Sequence, residues 1–300
     1  MILVPEGIGG LPACMNDLDR LHWAASVSVR AFGVKFGVRV NDAGVLKTFL
    51  DRLPPGSRVY EPSRPDVGRR VYSIIRGEEI PRPLPGRHWQ VYADSDLEVQ
   101  AFDHLETLNA FEGLVRFDVA RLAERWTFVH AGAVGWNGRG ILVPGLSRAG
   151  KSRLVEALVR AGATYYSDEY AVLDRRGRLF PFAKPITLRR EDGSLDRVSA
   201  SELGGEVGTE PIPVGMVVAT SHAQEARWRP TQVAGGGTVL ALLVHTVRAQ
   251  LAPARVLKTL SVLAQGATTF EGVRGEADDV AKDLLRRASS EEPRGLRESA

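Results

Sequence analysis

The sequence predicts an α/β fold in two parts: a core with a mixed sheet and flanking helices, preceded by a smaller α+β domain. Two observations carry this prediction. In the second half of the chain, short apolar segments with strand spacing alternate with helical patterns, which is typical of α/β folds. In the first 124 residues, alternating segments come first and one long helical pattern follows. We therefore expect domains at residues 1–124 and 125–288, and a disordered tail at 289–300, where the residues are mostly polar.

The first domain is predicted to contain an antiparallel sheet and one helix. Apolar and polar residues alternate over residues 26–40, and further alternating pieces lie at 70–75 and 89–92. A helix is expected over about residues 97–124, because apolar residues recur there at helical spacing, with a break at Gly113. This domain is the candidate for substrate recognition.

The second domain is predicted to begin with a hairpin. Residues 126–134 and 141–143 read as strands joined by a tight turn at Asn137 and Gly138. Apolar residues within 154–159 fall on one face of a predicted helix, and Gly162 is suited to end that helix. The remaining apolar pattern predicts strands at 164–166, 170–173, 185–188 and 214–219, a glycine turn at 235–237, and helices at 239–250 and 276–287.

A G-x-x-x-x-G-K-S motif lies between the strand at 141–143 and the helix that follows. Its glycines allow backbone N–H groups to turn toward a phosphate, the lysine supplies a mobile cation, and the serine hydroxyl can ligate Mg²⁺. We expect the motif to bind the phosphates of a nucleotide, with ATP as the default ligand; the alternative is a glycine turn with an incidental lysine. The motif residues are Gly145, Leu146, Ser147, Arg148, Ala149, Gly150, Lys151 and Ser152.

Two flanking segments supply groups that suit phosphoryl transfer. His130 ends a predicted strand before the loop, and Asp168 and Glu169 follow a strand after the loop helix. Carboxylates at a strand end beside a phosphate loop can hold Mg²⁺ or accept a proton. A packed structural histidine and a solvated acidic turn are the alternatives. Weaker candidates for contact with nucleotide or substrate are Lys184, Arg189 and Arg190.

Composition excludes several classes of protein. The formal net charge is only +3, and the basic residues are scattered among acids, so neither nucleic acid nor a membrane is an expected partner. Cys14 is the single cysteine, which excludes an internal disulfide. We expect no signal peptide and no transmembrane helix, and hence a cytoplasmic location.

The order of these elements resembles a known family. Residues 126–190 are similar to the core of bacterial HPr kinase/phosphorylase and its kinase relatives. The similarity rests on the order of three segments: His130 with its neighbours, then the loop, then the sequence Ser167-Asp168-Glu169. The resemblance implies an HPr-kinase type of phosphate-loop core, with Asp168 as the base for an acceptor hydroxyl and His130 assisting. It also implies that Lys151 bridges the terminal phosphates, that Ser152 and Glu169 hold Mg²⁺, and that the protein forms a homo-oligomer.

The departures from that family define the expected substrate. HPr-specific enzymes carry two aspartates where this chain has Asp168 and Glu169, so HPr itself is not the expected acceptor. The chain resembles instead the HPr-kinase-like proteins that phosphorylate a hydroxyl of a peptide, protein or small molecule. We therefore expect an ATP- and Mg²⁺-dependent kinase with a serine-like hydroxyl acceptor. The alternatives are a phosphate-loop ATPase or nucleotide-sensing module without an acceptor, and a decayed member that binds nucleotide structurally.

Overall fold

The computed structural model describes residues 18, 20–61, 70–77, 86–146, 149–190 and 192–290. The chain divides into two compact units between Glu124 and Arg125. Each unit has its own mixed sheet, so the fold is a mixed α/β fold. In the described part of the chain, no helix is both long enough and apolar enough to cross a membrane.

The first unit is built on a six-stranded sheet with the order β3-β1-β2-β4-β5-β6. Strands β1 and β2 form an antiparallel hairpin whose turn residues, Phe32 and Gly33, have φ of 48° and 83°. Such φ values match the right-handed twist of the flanking strands. The elements are β1 (Ala25–Ala31), β2 (Val34–Val40), a 3₁₀ turn (Ala43–Val45), α1 (Leu46–Leu50), β3 (Arg58–Tyr60), β4 (Val71–Arg76), β5 (Trp89–Ala93), β6 (Asp96–Ala101) and α2 (His104–Leu122).

Helix α2 begins later than its sequence pattern predicts. Residues 96–101 form strand β6, which pairs with β5, and the helix starts only after Asp103. The Asp103 carboxylate accepts a hydrogen bond from Glu106 N at 2.8 Å, and the Glu106 carboxylate accepts one from Phe102 N at 2.9 Å. This reciprocal capping determines the first turn. The expected break at Gly113 does not occur, and α2 is continuous to Leu122.

The second unit carries the predicted loop. Its elements are β7 (Thr127–Trp136), β8 (Arg139–Pro144), α3 (Lys151–Arg160), β9 (Thr164–Ser167), β10 (Tyr170–Leu173), β11 (Arg178–Phe180), β12 (Ile186–Arg189), β13 (Leu195–Val198), a 3₁₀ turn (Ser201–Leu203), β14 (Ile212–His222), β15 (Thr231–Val233), α4 (Gly235–Leu243), α5 (Pro253–Gly266), β16 (Thr268–Arg274) and α6 (Ala277–Ser290).

Helices cover both faces of the eight-stranded sheet of this unit. Its order is β11-β10-β7-β8-β14-β16-β15, β9 pairs with β7, and β8, β14 and β16 run parallel. Along β8, Ile141 and Val143 pack in a cluster with residues of α3 and α6, whereas Leu142 packs in a second cluster with residues of α4 and α5. Burial on both faces explains why β8 reads as a continuous apolar run.

Three predicted boundaries of the second unit were wrong. Residues 235–237, expected as a glycine turn, form the first turn of α4, which ends at Leu243 instead of continuing to residue 250. Helix α5 and strand β16 were not predicted. The last helix extends to Ser290, where Ser289 Oγ accepts a hydrogen bond from Trp136 Nε1 at 2.8 Å, and residues 291–300 of the expected tail lie outside the described residues.

Candidate functional site

The motif loop joins the end of β8 at Pro144 to the start of α3 at Lys151. Gly150 has a left-handed backbone with φ of +78°, and a Cβ atom there would overlap the guanidinium of Arg274. This position therefore requires glycine. The predicted phosphate-binding residues Gly145, Leu146, Ala149, Gly150, Lys151 and Ser152 lie in this loop and the first turn of the helix, whereas Ser147 and Arg148 lie outside the described residues.

Lys151 is a buried cation at the start of α3. The residue is 7% exposed, and its Nζ donates a hydrogen bond to Leu146 O at 2.6 Å across the loop. Burial lowers the pKa of Lys151 to about 8, although the charges of Asp168 and Glu169 act to raise it. At pH 7 the ammonium is charged, poorly solvated and held inside the loop, so an anion that enters the loop would gain a strong interaction.

Asp168 lies at the centre of a buried polar cluster. Its Oδ1 accepts hydrogen bonds from Tyr165 OH at 3.0 Å and pairs with Lys184 Nζ at 2.8 Å. Its Oδ2 accepts from Ser152 Oγ at 3.3 Å and from Thr187 N at 3.2 Å. The carboxylate therefore has four donors and is rigidly placed against the loop helix.

Glu169 follows in the turn between β9 and β10. Ser167 Oγ accepts hydrogen bonds from the backbone N–H of Glu169 at 3.1 Å and of Tyr170 at 3.0 Å, which determines the shape of this turn. Ala131 N donates to Glu169 O at 3.1 Å, which ties the turn to β7. The Glu169 carboxylate lies 3.8 Å from Lys184 Nζ. Lys184 thus provides positive charge to both acids.

His130 lies on β7 beside the start of the loop. Its carbonyl accepts a hydrogen bond from Gly145 N at 3.2 Å, and its own N–H donates to His245 O at 2.8 Å. Burial first, and then the charges of Lys151 and His245, lower the pKa of His130 to about 4. The imidazole is therefore neutral at pH 7, so one of its ring nitrogens can donate a hydrogen bond and the other can accept one.

Of the three weaker candidates for contact with nucleotide or substrate, the structure places one at the acid cluster and two away from it. Lys184 joins the acid cluster with a side chain only 8% exposed. Arg189 and Arg190 instead bond within the β12–β13 hairpin, to Gly193 O at 3.0 Å and to the Asp196 carboxylate respectively. The sequence did not point to Tyr165 and Thr187, which donate to Asp168, to His245, whose carbonyl accepts from His130 N, or to Arg274.

Arg274 is the last residue of β16 and contacts the backbone of the loop. It is 2% exposed, and its Nη2 donates to Gly150 O at 2.8 Å. Burial lowers the pKa of this guanidinium, and Glu276 acts in the opposite direction. No sequence motif marks this arginine, because its partner lies in a distant part of the chain.

Metal ligands in the described residues are few. No group of three or more His, Cys, Asp or Glu side chains is arranged to hold a metal ion in the part of the chain that the structure describes. Mg²⁺ in phosphate sites is commonly bound by only one or two protein oxygens, together with water and phosphate. The Ser152 hydroxyl against the Asp168 carboxylate, with Glu169 adjacent, is an oxygen donor set that fits this requirement.

Comparisons with known proteins give limited similarity. No family model matches the sequence, and no curated protein matches it. Among solved structures, the chain is similar to the Hpr(Ser) kinase/phosphatase from Coxiella burnetii, with a TM-score of 0.34 and 14% sequence identity. The match covers 54% of this chain and 95% of that chain.

Two cavities open beside the loop within the second unit. One, of about 380 Å³, is lined by Gly150 together with residues of α3, the last residues of β14 and β16, and the start of α6. The other, of about 300 Å³, is lined by Gly145, Leu146 and Ala149 with residues of β14, α4 and His245. A ligand whose phosphates occupy the loop could extend in either direction.

Proposed function

We propose that the protein is an ATP- and Mg²⁺-dependent kinase that transfers the γ-phosphoryl group to a hydroxyl of a peptide, protein or small molecule. The observation that carries this proposal is the contact between Ser152 Oγ and Asp168 Oδ2, at 3.3 Å. It brings a carboxylate to the first turn of the loop helix, beside the buried ammonium of Lys151. Phosphoryl transfer requires these groups, since its catalysis consists of alignment and charge stabilisation.

The residues have distinct roles in the proposed reaction. The acceptor oxygen forms a bond to the γ-phosphorus while the bond from phosphorus to the β–γ bridging oxygen breaks, and ADP leaves. Asp168 receives the hydroxyl proton, and Tyr165 and Thr187 hold its carboxylate in place. Lys151 neutralises charge on the terminal phosphates. His130, neutral at pH 7, assists by a hydrogen bond near the start of the loop.

Mg²⁺ would be held by the Ser152 hydroxyl and the Glu169 carboxylate, with the Asp168 carboxylate beside Ser152. When bound, the ion supplies positive charge that screens the phosphate oxygens. Lys184 provides a fixed positive charge to the same two acids, with Nζ at 2.8 Å from Asp168 Oδ1 and 3.8 Å from Glu169 Oε2. The ammonium therefore limits the repulsion between the acids and an incoming triphosphate.

Transfer of label from γ-³²P-ATP tests this proposal. The purified protein with Mg²⁺ is incubated with a panel of serine-containing peptides and hydroxyl metabolites, and labelled products are separated from inorganic phosphate. The proposal expects label on a hydroxyl, and the Lys151→Met variant should transfer none. ATP binding with no labelled acceptor anywhere in a wide panel would count against a kinase.

One observation favours a second function, ATP hydrolysis or nucleotide sensing without an acceptor. The Asp168 carboxylate already accepts from four donors, which suits a group that anchors charge better than one that receives a proton. In that case all the phosphate released from ATP would be recovered as inorganic phosphate. A partner protein that raises this turnover without becoming labelled would support the second function.

A further inference from the structure

We propose that the outer face of strands β1, β2 and β3 in the first unit binds an acidic peptide segment in an extended conformation. Under the proposed function, that segment belongs to the phosphoryl acceptor, and this part of the proposal rests on that function. The outer face is the side of the sheet opposite α2. Phe36 of β2 packs on Tyr72, which contacts Phe111 of α2. Because side chains alternate along a strand, Lys35 lies on the outer face.

Three cations form a row across this face. In the antiparallel register, Arg30 of β1 lies directly opposite Lys35 of β2 on one side and directly opposite Arg58 of β3 on the other. Residues in this relation project on the same face, with Cβ atoms about 5 Å apart. All three residues are exposed. Like charges directly opposite each other repel, so an anion placed on the row would interact favourably with several cations at once.

No acid within these strands offsets the charge of the row. The three strands contain Arg30, Lys35, Arg39 and Arg58, and neither Asp nor Glu occurs in them. The guanidinium groups of Arg30 and Arg58 have no ion pair or hydrogen bond in the described part of the chain. Arg39 differs, because its Nε donates to Ser73 Oγ at 2.7 Å and thereby links β2 to β4. Basic residues that are scattered along the sequence are thus brought together by the strand register.

The row ends at an open edge of the sheet. Among the described residues, β3 is the terminal strand of the order β3-β1-β2-β4-β5-β6, and all its residues are exposed. A strand with one unpaired side can bind an extended peptide through backbone hydrogen bonds. A peptide added there would place every second side chain on the outer face, next to Arg58. Carboxylates at alternate positions of the peptide therefore match the charge of the row.

A second row beside the cations supplies hydroxyl groups. Ser28 of β1 lies opposite Tyr60 of β3, which is 46% exposed. Both hydroxyls can donate hydrogen bonds to a carboxylate or a peptide carbonyl. A single aromatic ring does not provide the series of stacking platforms that a nucleic acid strand uses. Three cations are also fewer than the clusters that bind anionic lipids. The face therefore suits an acidic peptide better than a nucleic acid or a membrane.

Fluorescence anisotropy of a synthetic peptide tests the proposal. The full chain, without ATP, is titrated into the peptide Glu-Val-Glu-Val-Glu-Val carrying a neutral dye. The double variant Arg30→Gln/Arg58→Gln should bind it at least about tenfold more weakly than the wild type, whereas Arg30→Lys/Arg58→Lys, which keeps both charges, should bind within about threefold. Lys258→Gln/Lys282→Gln is the matched control, because it removes two exposed charges from α5 and α6, and it should bind as the wild type does.

Three results would overturn the proposal. The first is no peptide binding by the wild type, or equal binding by the wild type and Arg30→Gln/Arg58→Gln. The second is equal affinity for a peptide of the same composition whose three Glu residues are contiguous, since strand addition requires alternation and predicts at least about threefold weaker binding. The third is tighter binding of an oligothymidylate or of phosphatidylserine vesicles than of the peptide, lost in the same variant.

Failure of this proposal and failure of the proposed function are distinguishable, because the titration contains no ATP. Label transfer from ATP to a hydroxyl without peptide binding would remove only the docking surface. Peptide binding without transfer to any hydroxyl would leave the docking surface in place, and it would remove the kinase together with the assignment of the segment to an acceptor.

Discussion

Burial of the Lys151 ammonium has a cost in stability that can be measured. Burial lowers its pKa from 10.5 to about 8 in the folded chain. A shift of one pKa unit corresponds to about 1.4 kcal/mol, so the charged lysine destabilises the folded state at pH 7 by roughly 3–4 kcal/mol. Its hydrogen bond to Leu146 O, at 2.6 Å, returns about 1 kcal/mol of this. A residue kept at such a cost is expected to serve function.

Lys151→Met should therefore make the protein more stable while abolishing nucleotide binding. We expect the free energy of unfolding at pH 7, measured by urea denaturation, to rise by about 2–3 kcal/mol. The gain should be full below pH 8 and should disappear as the pH rises from 8 to 10.5. In that window the unfolded chain binds a proton that the folded wild type has lost, so the wild type gains stability with pH.

An exposed lysine provides the matched control. Lys47 is 84% exposed and pairs with Asp51 on the surface, so Lys47→Met should change the unfolding free energy by less than about 0.5 kcal/mol, with no such pH dependence. A Lys151→Met variant that is less stable than the wild type at pH 7 would contradict this cost of burial. A stability difference that stays constant from pH 7 to pH 10.5 would refute it equally.

Three further perturbations follow from the site. The pKa of His130 is lowered to about 4, so the unfolded chain binds this proton first, and the wild type should become less stable by up to about 3 kcal/mol as the pH falls from 6.5 to 4. Urea titrations of His130→Gln at pH 7 and 4.5 should show a shallower decline. Lys184→Met should cost about 3–5 kcal/mol in urea denaturation at pH 7, since it leaves Asp168 buried without its cation, and adding Asp168→Asn should recover part of the loss. Gly150→Ala should weaken ATP binding at least about tenfold by calorimetry, because its Cβ would displace Arg274.

The loop was the part of the site that the sequence could predict, because the residues that form it follow one another in the chain. Strand β8, the glycine at a left-handed position and the helix that starts at Lys151 all lie within a short segment. The acid turn was placed from its position after the next strand. Its hydrogen bond to Ser152 connects adjacent elements, and adjacent elements usually pack together.

Long-range contacts were beyond prediction. Arg274 is one of many arginines, and only the folded chain brings it to Gly150 O. Lys184 likewise reaches Asp168 because the segment before β12 passes beside the acid turn.

The predicted boundaries of helices were wrong where the same residues fit more than one kind of local structure. Leu97, Val99 and Ala101 fit a strand as well as a helix, and pairing of β6 with β5 decides for the strand. The glycines at 235–237 resemble a turn by composition, yet α4 begins there. It is held by a hydrogen bond of 2.6 Å between Thr238 and Thr269 and by the buried side chain of Leu242. Tertiary packing overrides local propensity in both cases.

Asp168→Asn tests the proposed role of Asp168 in receiving the acceptor proton. The amide keeps the size of the side chain and removes its charge and basicity. Label transfer from γ-³²P-ATP and nucleotide affinity are measured on the same preparation, with Asp51→Asn as an exposed control. We expect transfer to fall by at least about a hundredfold, with ATP affinity largely retained. Transfer to a hydroxyl at the wild-type rate by Asp168→Asn would contradict it.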